Sequence, residues 1–274
     1  MEAGTDRDST DDRDCVLACV EVGGSGVQTV VFSPRSRARG DAVVVGALAV
    51  GASHEPDVAV HEGAMLPPGA RLAMAVPGRI ECGRVVFASS LGWRDVDPAA
   101  QLGLDRRAEV VLNDAEAAAL GEWSLRDGAV RRLLYVGIGT GIGGAVVHDG
   151  RLVADNLLGH GGGFGTRACI CGGAGCLETV AAGWALPQPL DADTVERAAE
   201  AVARAVREEP LAAEAMVVLT GGLVERHPAF VAAFRRALPG RVVEGSRRPA
   251  GAKSAAAWGL HWHLMRSDGD RPGR

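Results

Sequence analysis

Apolar and polar positions follow two periods along this chain, and the switches between them mark out its elements. Residues 15–32 are almost continuously apolar and β-branched, broken only at Gly23-Gly24. That predicts two strands joined by a tight turn, the second over 27–32. Further short apolar runs predict strands at 42–50, 72–76, 85–88 and 109–112, with Pro77-Gly78 ending the second of these. After Asn113-Asp114 the pattern changes. Residues 115–123 are rich in Ala, Leu and Glu with almost no β-branching, so they predict a helix capped by Asn113 or Asp114. A second block opens with a strand at 132–136, the glycine run 137–144 and a strand at 145–148. Residues 194–207 carry Val195, Ala198, Ala199, Val202 and Val206 at helical spacing. A strand at 216–219, a helix at 228–238, a short strand at 241–243 and a helix at 251–265 complete the series. Strand, glycine turn, strand occurs twice, so the chain reads as two related halves facing a cleft.

Composition narrows the class. The 274 residues include 38 glycines and only 4% aromatics, which favours glycine turns around aliphatic strands, as in an α/β protein. A net charge of −5 with dispersed Lys and Arg gives no basic stripe for nucleic acid. No apolar run approaches a membrane span. Residues 1–14 are polar and acidic without an apolar h-region, so they predict a disordered tail and not a signal peptide. The polar residues 266–274 predict a mobile tail.

The densest chemistry is Cys169-Ile-Cys171-Gly-Gly-Ala-Gly-Cys176-Leu-Glu178, with His160 nine residues upstream. Three cysteines and a histidine can be scattered core residues or disulfide partners. However, a C-x-C pair does not readily bridge itself, and three glycines do not suit a packed core. Cys3His is a closed tetrahedral zinc set, structural because no position is left open for chemistry. Reduced, metal-binding cysteines suit the cytoplasm. Gly23-Gly24-Ser25, the run containing Gly139, Thr140 and Gly141, and Gly221-Gly222 each follow an apolar strand. Any one is commonly just a turn. Three together point to backbone N–H groups cradling nucleotide phosphates, although none is a P-loop. Asp114 reads as a helix cap and as a general base at the cleft edge, and both can hold because capping leaves one carboxylate oxygen free. Glu21 reads equally as a magnesium-binding carboxylate and as a solvent-facing strand residue.

Together these residues resemble the ROK family of sugar kinases and related repressors. Glu21-Val-Gly-Gly-Ser25 is similar to the family's first phosphate loop, and Gly139-Thr-Gly-Ile-Gly-Gly144 to its second. Leu112-Asn-Asp-Ala-Glu-Ala-Ala-Ala-Leu-Gly-Glu122 is similar to its catalytic segment. Gly159-His160 with Cys169, Cys171 and Cys176 is similar to its zinc signature, and Thr220-Gly-Gly222 to its adenosine motif. The resemblance implies a two-lobed, actin-like ATPase fold with ATP and Mg²⁺ in the cleft. Asp114 would be the base, and Asn113, His160 and Glu178 would hold sugar hydroxyls. It also implies a small lobe over 15–114, a large lobe over 115–251 and a terminal helix over 252–265 between them. A homodimer or higher homo-oligomer is expected by the same analogy.

Three residues depart from the family pattern. Glu21 replaces an Asp, Ser90 stands where a sugar-binding Asn is usual, and Leu157 replaces a Glu that grips the sugar. Gly162-Gly-Phe-Gly-Thr166 can also be aligned to the same motif as a degraded copy, but the spacing of His160 to Cys169 suits the zinc set better. Losing a hydroxyl acceptor leaves a sugar OH unpaired at a cost of about 1–3 kcal/mol. A modified acceptor is therefore expected, such as an aminohexose or a C7-cyclitol, with Asp155 or Asn156 supplying a replacement contact. The competing expectations are a pseudokinase that binds sugar or nucleotide for a regulatory purpose, and a repressor. The latter is disfavoured because only fourteen polar residues precede the first strand.

Overall fold

Two five-stranded sheets are built on one plan. In the first, β1 (Leu17–Gly23), β2 (Gly26–Phe32), β3 (Ala42–Leu48), β4 (Arg71–Val76) and β8 (Val110–Asn113) lie in the order β3-β2-β1-β4-β8. In the second, β9 (Arg132–Ile138), β10 (Ile142–His148), β11 (Arg151–Leu157), β12 (Met216–Thr220) and β13 (Val243–Glu244) lie in the order β11-β10-β9-β12-β13. Each begins with an antiparallel meander and adds two parallel strands on the other side. The repeated strand–glycine–strand pattern is thus a repeated topology. This computed structural model describes residues 16–23, 26–32, 42–48 and 66–269. The predicted tail 1–14, Gly24, Ser25 and the residues after Gly269 lie outside the described residues.

Strand parity assigns every core side chain to a layer, because successive residues point to opposite faces. In the first sheet, Leu17, Cys19, Ala73 and Ala75 pack on α2 (Asp114–Ser124) and α7 (Ala256–Gly269). Val20, Val22, Leu72 and Met74 face the other way, onto a small sheet of β5 (Arg79–Glu81), β6 (Arg84–Ala88) and β7 (Trp93–Val96) with α1 (Pro98–Gln101). In the second sheet, Leu133, Tyr135, Met216 and Val218 meet α2 and α7. Leu134, Val136, Val217 and Leu219 pack on α4 (Ala192–Glu208) and α6 (Pro228–Ala237). The result is five layers, with α2 and α7 in the middle and shared by both sheets.

The middle layer is unusually tight. A Cβ on Gly121 would lie 1.8 Å from the Ala255 carbonyl oxygen, and one on Gly259 would lie 1.8 Å from that of Ala117. The two segments therefore touch backbone to backbone, and only glycine fits. A buried ion pair between Glu122 and Arg126 adds to this layer; Ser246 and the Arg247 backbone N–H also donate to Glu122.

Several predicted boundaries move. Helix α7 begins at Ala256, after a non-helical stretch, and runs on to Gly269 through residues read as tail. Strand β10 begins at Ile142, so the turn in the glycine run is confined to Gly139–Gly141. β5, β7, α1, α3 (Glu178–Ala181) and α5 (Gly222–Arg226) were not predicted, being too short to show a period, and the longer β11 was not predicted either. No helix among the described residues is long and apolar enough to cross a membrane.

Substituting Gly259→Val should force α7 off α2 and destabilise the protein by about 3 kcal/mol or more. Urea unfolding of the purified variant reads this directly; a loss under about 1 kcal/mol would show that the crossing is not tight.

Candidate functional site

Strand parity places Glu21 first. It follows Leu17 and Cys19 on the face of β1 that looks toward α2 and α7, and it is buried. The solvent-facing reading of Glu21 is therefore wrong. Its cross-strand partner, Gln28, shares that face. Burial pushes the Glu21 carboxyl up to about 7, against an opposing hydrogen bond from Ser254 and the charge of Lys253.

Asp114 enters the same space from α2. The cap is Asn113: its Oδ1 accepts from Ala115 N at 2.9 Å and Glu116 N at 3.4 Å, and Glu116 Oε2 accepts from Asn113 N at 3.3 Å. This is a capping box, worth about 1 kcal/mol. Asp114 is the first helical residue, with one oxygen accepting from Ala115 N at 2.9 Å and the other available. Burial raises it from the ordinary 3.8 to about 6. Asn113 is less free than its expected sugar-binding role requires. Its Nδ2 also donates to Gly78 O at 2.8 Å, which leaves one N–H for any ligand.

The cysteine–histidine segment converges as its spacing predicts. The donor atoms of His160, Cys169, Cys171 and Cys176 all lie within 4.8 Å of one another. Cys171 Sγ is 3.7 Å from Cys176 Sγ, and His160 Nδ1 is 3.7 Å from Cys169 Sγ. A tetrahedral zinc with bonds of about 2.3 Å to sulfur sets its ligands about 3.8 Å apart, so the set fits zinc. The cysteines are free thiols, which removes the disulfide reading. Residues 162–166 lie outside the cavity wall and His160 lies in it, which decides between the two alignments of the histidine motif.

That loop fixes Glu178. Leu177 N and Glu178 N donate to Gly161 O and Gly159 O, each at 3.0 Å, tying the histidine stretch to the start of α3. Glu178 Oε1 accepts from Ile142 N at 2.7 Å, and Oε2 accepts from Trp184 Nε1 at 3.1 Å. A Cβ on Gly141 would stand 2.5 Å from Glu178 Oε1, so glycine there permits the approach. His160 Nδ1 lies 4.0 Å from Glu178 Oε2 and faces the thiols, which leaves Nε2 available to a ligand.

One cavity of about 650 Å³ gathers these groups. Its wall includes Glu21, Gly23, Ser90, Asn113, Asp114, Gly139, Thr140, Gly141, His160, Glu178, Gly221 and Gly222, all read from sequence. Asp155 and Asn156 fall in β11 where the backbone alone is described. The cavity also holds Arg79, Phe87, Trp184, Arg248, Lys253 and Ser254, which sequence reasoning missed. At Gly221 a φ of 106° and a Cβ position 2.3 Å from Ile138 O both require glycine. The arrangement brings glycines at three strand ends, two carboxylates of raised pKa and a fixed Glu178–His160 pair to one space. It can hold a polyanion at one end and hydroxyl groups at the other.

Elemental analysis should find about one zinc per chain. Cys176→Ser should lose it and expose residues 159–178 to protease. Full folding without bound metal would remove zinc from the account.

The ROK family model matches residues 65–221. A glucokinase from Halalkalibacterium halodurans is 35% identical over 121 residues, covering 40% of this chain and 37% of that protein. An N-acetylmannosamine kinase from Yersinia pestis is 30% identical over 185 residues, covering 54% and 64%. A putative xylose repressor from Caldicellulosiruptor sp. is 38% identical over 127 residues, covering 42% and 31%. The chain thus matches between about a third and two thirds of the length of these curated relatives. In architecture it resembles a ROK family glucokinase from Streptomyces griseus in complex with glucose and AMPPNP, with a TM-score of 0.67 at 19% identity, covering 90% of this chain and 98% of that one. With that actin-like α/β fold and its histidine–cysteine cluster, the chain belongs to the ROK family of sugar kinases and related repressors.

Proposed function

We propose that this protein transfers the terminal phosphoryl group of ATP to a hydroxyl, by analogy a primary one, of a sugar or sugar-like acceptor. The observation that carries the reading is Asp114. Asn113 makes the helix cap, so one Asp114 oxygen is left over from the contact with Ala115 N, in a cavity lined by Gly23, Gly139, Gly141, Gly221 and Gly222. Glucokinase and N-acetylmannosamine kinase relatives support it.

In this reading the nucleotide phosphates meet backbone N–H groups at Gly23, Gly139–Gly141 and Gly221-Gly222. Glu21 would hold the magnesium, whose chemistry is to neutralise phosphate charge. Glu178 and His160 would position the acceptor, and Asp114 would take the proton of the attacking hydroxyl. Zinc is structural and fixes the acceptor wall. We further propose that the first sheet with its small β layer and the second with its outer helices act as two lobes that close on substrate and exclude water. ATP use and metal-binding thiols would suit the cytoplasm.

The acceptor is a modified sugar in this reading, an aminohexose or a cyclitol rather than plain glucose. Leu157 in place of an acidic residue supports this. So does the engagement of both Glu178 oxygens by protein donors.

A coupled ADP-release assay over glucose, N-acetylmannosamine, glucosamine and a C7-cyclitol tests both levels. Turnover on the amino sugars or cyclitol above that on glucose is expected. Efficient glucose turnover alone would overturn the acceptor choice. AMPPNP binding with no turnover on any acceptor would favour a regulatory binding protein. The base must be ionised, so kcat should rise with pH through about 6, following Asp114, and not through its ordinary 3.8. A rate that stays flat from about pH 5 to 8 would exclude Asp114 as the titrating base.

A further inference from the structure

Arginine supplies nearly all the positive charge of this chain. Of 29 basic residues, 28 are arginine and one is lysine, Lys253. That single lysine lies in the cavity wall with Glu21 and Asp114.

Its placement is built. Gln28 Nε2 donates to Gly251 O at 3.0 Å, and Lys253 N donates to Gln28 Oε1 at 2.6 Å. This amide clamp fastens the stretch before α7 onto the inner face of β2. Ser254 then bonds Glu21 and accepts from Ala256 N at 2.9 Å, which holds the backbone on both sides of the lysine. The side chain crosses the β1–β2 hairpin, and Nζ donates to Gly26 O at 2.9 Å. A Cβ on Gly23 would stand 2.6 Å from Nζ. The ammonium therefore rests against the backbone of the first glycine turn, where a planar guanidinium has less room.

An ammonium carries three N–H donors, and Gly26 takes one. Among the described residues no carboxylate lies within ion-pair distance of Nζ. Glu21 and Asp114 are near enough to favour its charged form, against burial that disfavours it. A half-buried cation with donors to spare, set on a phosphate-type turn beside a carboxylate base, has an evident anionic ligand.

We propose that Lys253 is a catalytic residue that binds the terminal phosphate of the nucleotide and neutralises the charge of the transferring phosphoryl group. The proposal rests on the kinase reading above. In the step, the acceptor hydroxyl oxygen forms a bond to the γ-phosphorus and its proton passes to the Asp114 carboxylate. The bond from the γ-phosphorus to the β–γ bridging oxygen breaks, and its electron pair leaves on the nucleoside diphosphate. Lys253 stays protonated throughout and acts by charge alone.

A one-lysine chain makes the test clean. Wild-type protein is treated with a limiting amine-acetylating reagent, and acetylation at Lys253 is read by peptide-resolved mass spectrometry. AMPPNP with magnesium and no acceptor should cut labelling by about fivefold or more, while adenosine, which lacks phosphates, should not. Lys253→Met should lower kcat by about 10²- to 10³-fold, with its nucleotide-free melting temperature unchanged. Unprotected labelling at saturating AMPPNP, equal protection by adenosine, or Lys253→Met turnover within about twofold of wild type would each overturn the proposal. Protection by AMPPNP with no acceptor turned over would sink the acceptor reading and leave the phosphate contact standing. Acceptor turnover with Lys253 unprotected would sink the contact alone.

Discussion

The backbone contact between α2 and α7 is the constraint on which the rest of this molecule depends. Both sheets lay an apolar face on this one helix pair, so its thickness sets the distance between them. Gly121 and Gly259 let it be thin. Asp114 opens α2, and the Lys253-Ser254 stretch immediately precedes α7. Packing these two elements together therefore also places the Asp114 carboxylate and the Lys253 ammonium beside the Glu21 strand. A bulkier crossing would disturb packing and site at once, because the same elements serve both.

The His160–Glu178 side of the cavity is built by a different rule. There the chain has little regular structure, and the histidine–cysteine loop is held by backbone hydrogen bonds and by a donor set suited to zinc. What it presents is a buried carboxylate already receiving two protein donors, and one histidine whose second nitrogen is unengaged by the thiols. Asn113 is similarly committed to α2 and Gly78. The polar groups of this wall are fixed in place with few valences left over. A site of that kind selects by shape and by a small number of hydrogen bonds, and gains precision because its side chains do not reorganise on binding.

Much of this was legible in the sequence, and the reasons are specific. Strands buried on both faces, such as β1, β4, β9 and β12, declare themselves by nearly continuous apolar runs. The Cys169–Glu178 segment declares itself by ligand type and spacing. Asp114 was legible as a residue that could cap the helix and still offer a free oxygen, and the structure gives the cap to Asn113. The short strands β5 and β7 were missed because three or four residues with charges carry no period. The start of α7 was misplaced because Ala and Gly residues before it continue the same composition, while Gln28 holds them in a non-helical stretch. Gln28 and Lys253 were missed because their partners lie far away in the chain. Lys253 did leave one trace, as the only lysine among arginines.

The central claim is that Asp114 accepts the proton of an attacking hydroxyl in a cavity assembled by the shared helix layer. Steady-state kinetics of Asp114→Asn against wild type address it most directly, since the amide keeps the shape and removes the base. The account predicts that kcat falls by about 10²- to 10⁴-fold, while AMPPNP affinity, zinc content and melting temperature stay at wild-type values. A variant that turns over within about tenfold of wild type would contradict it.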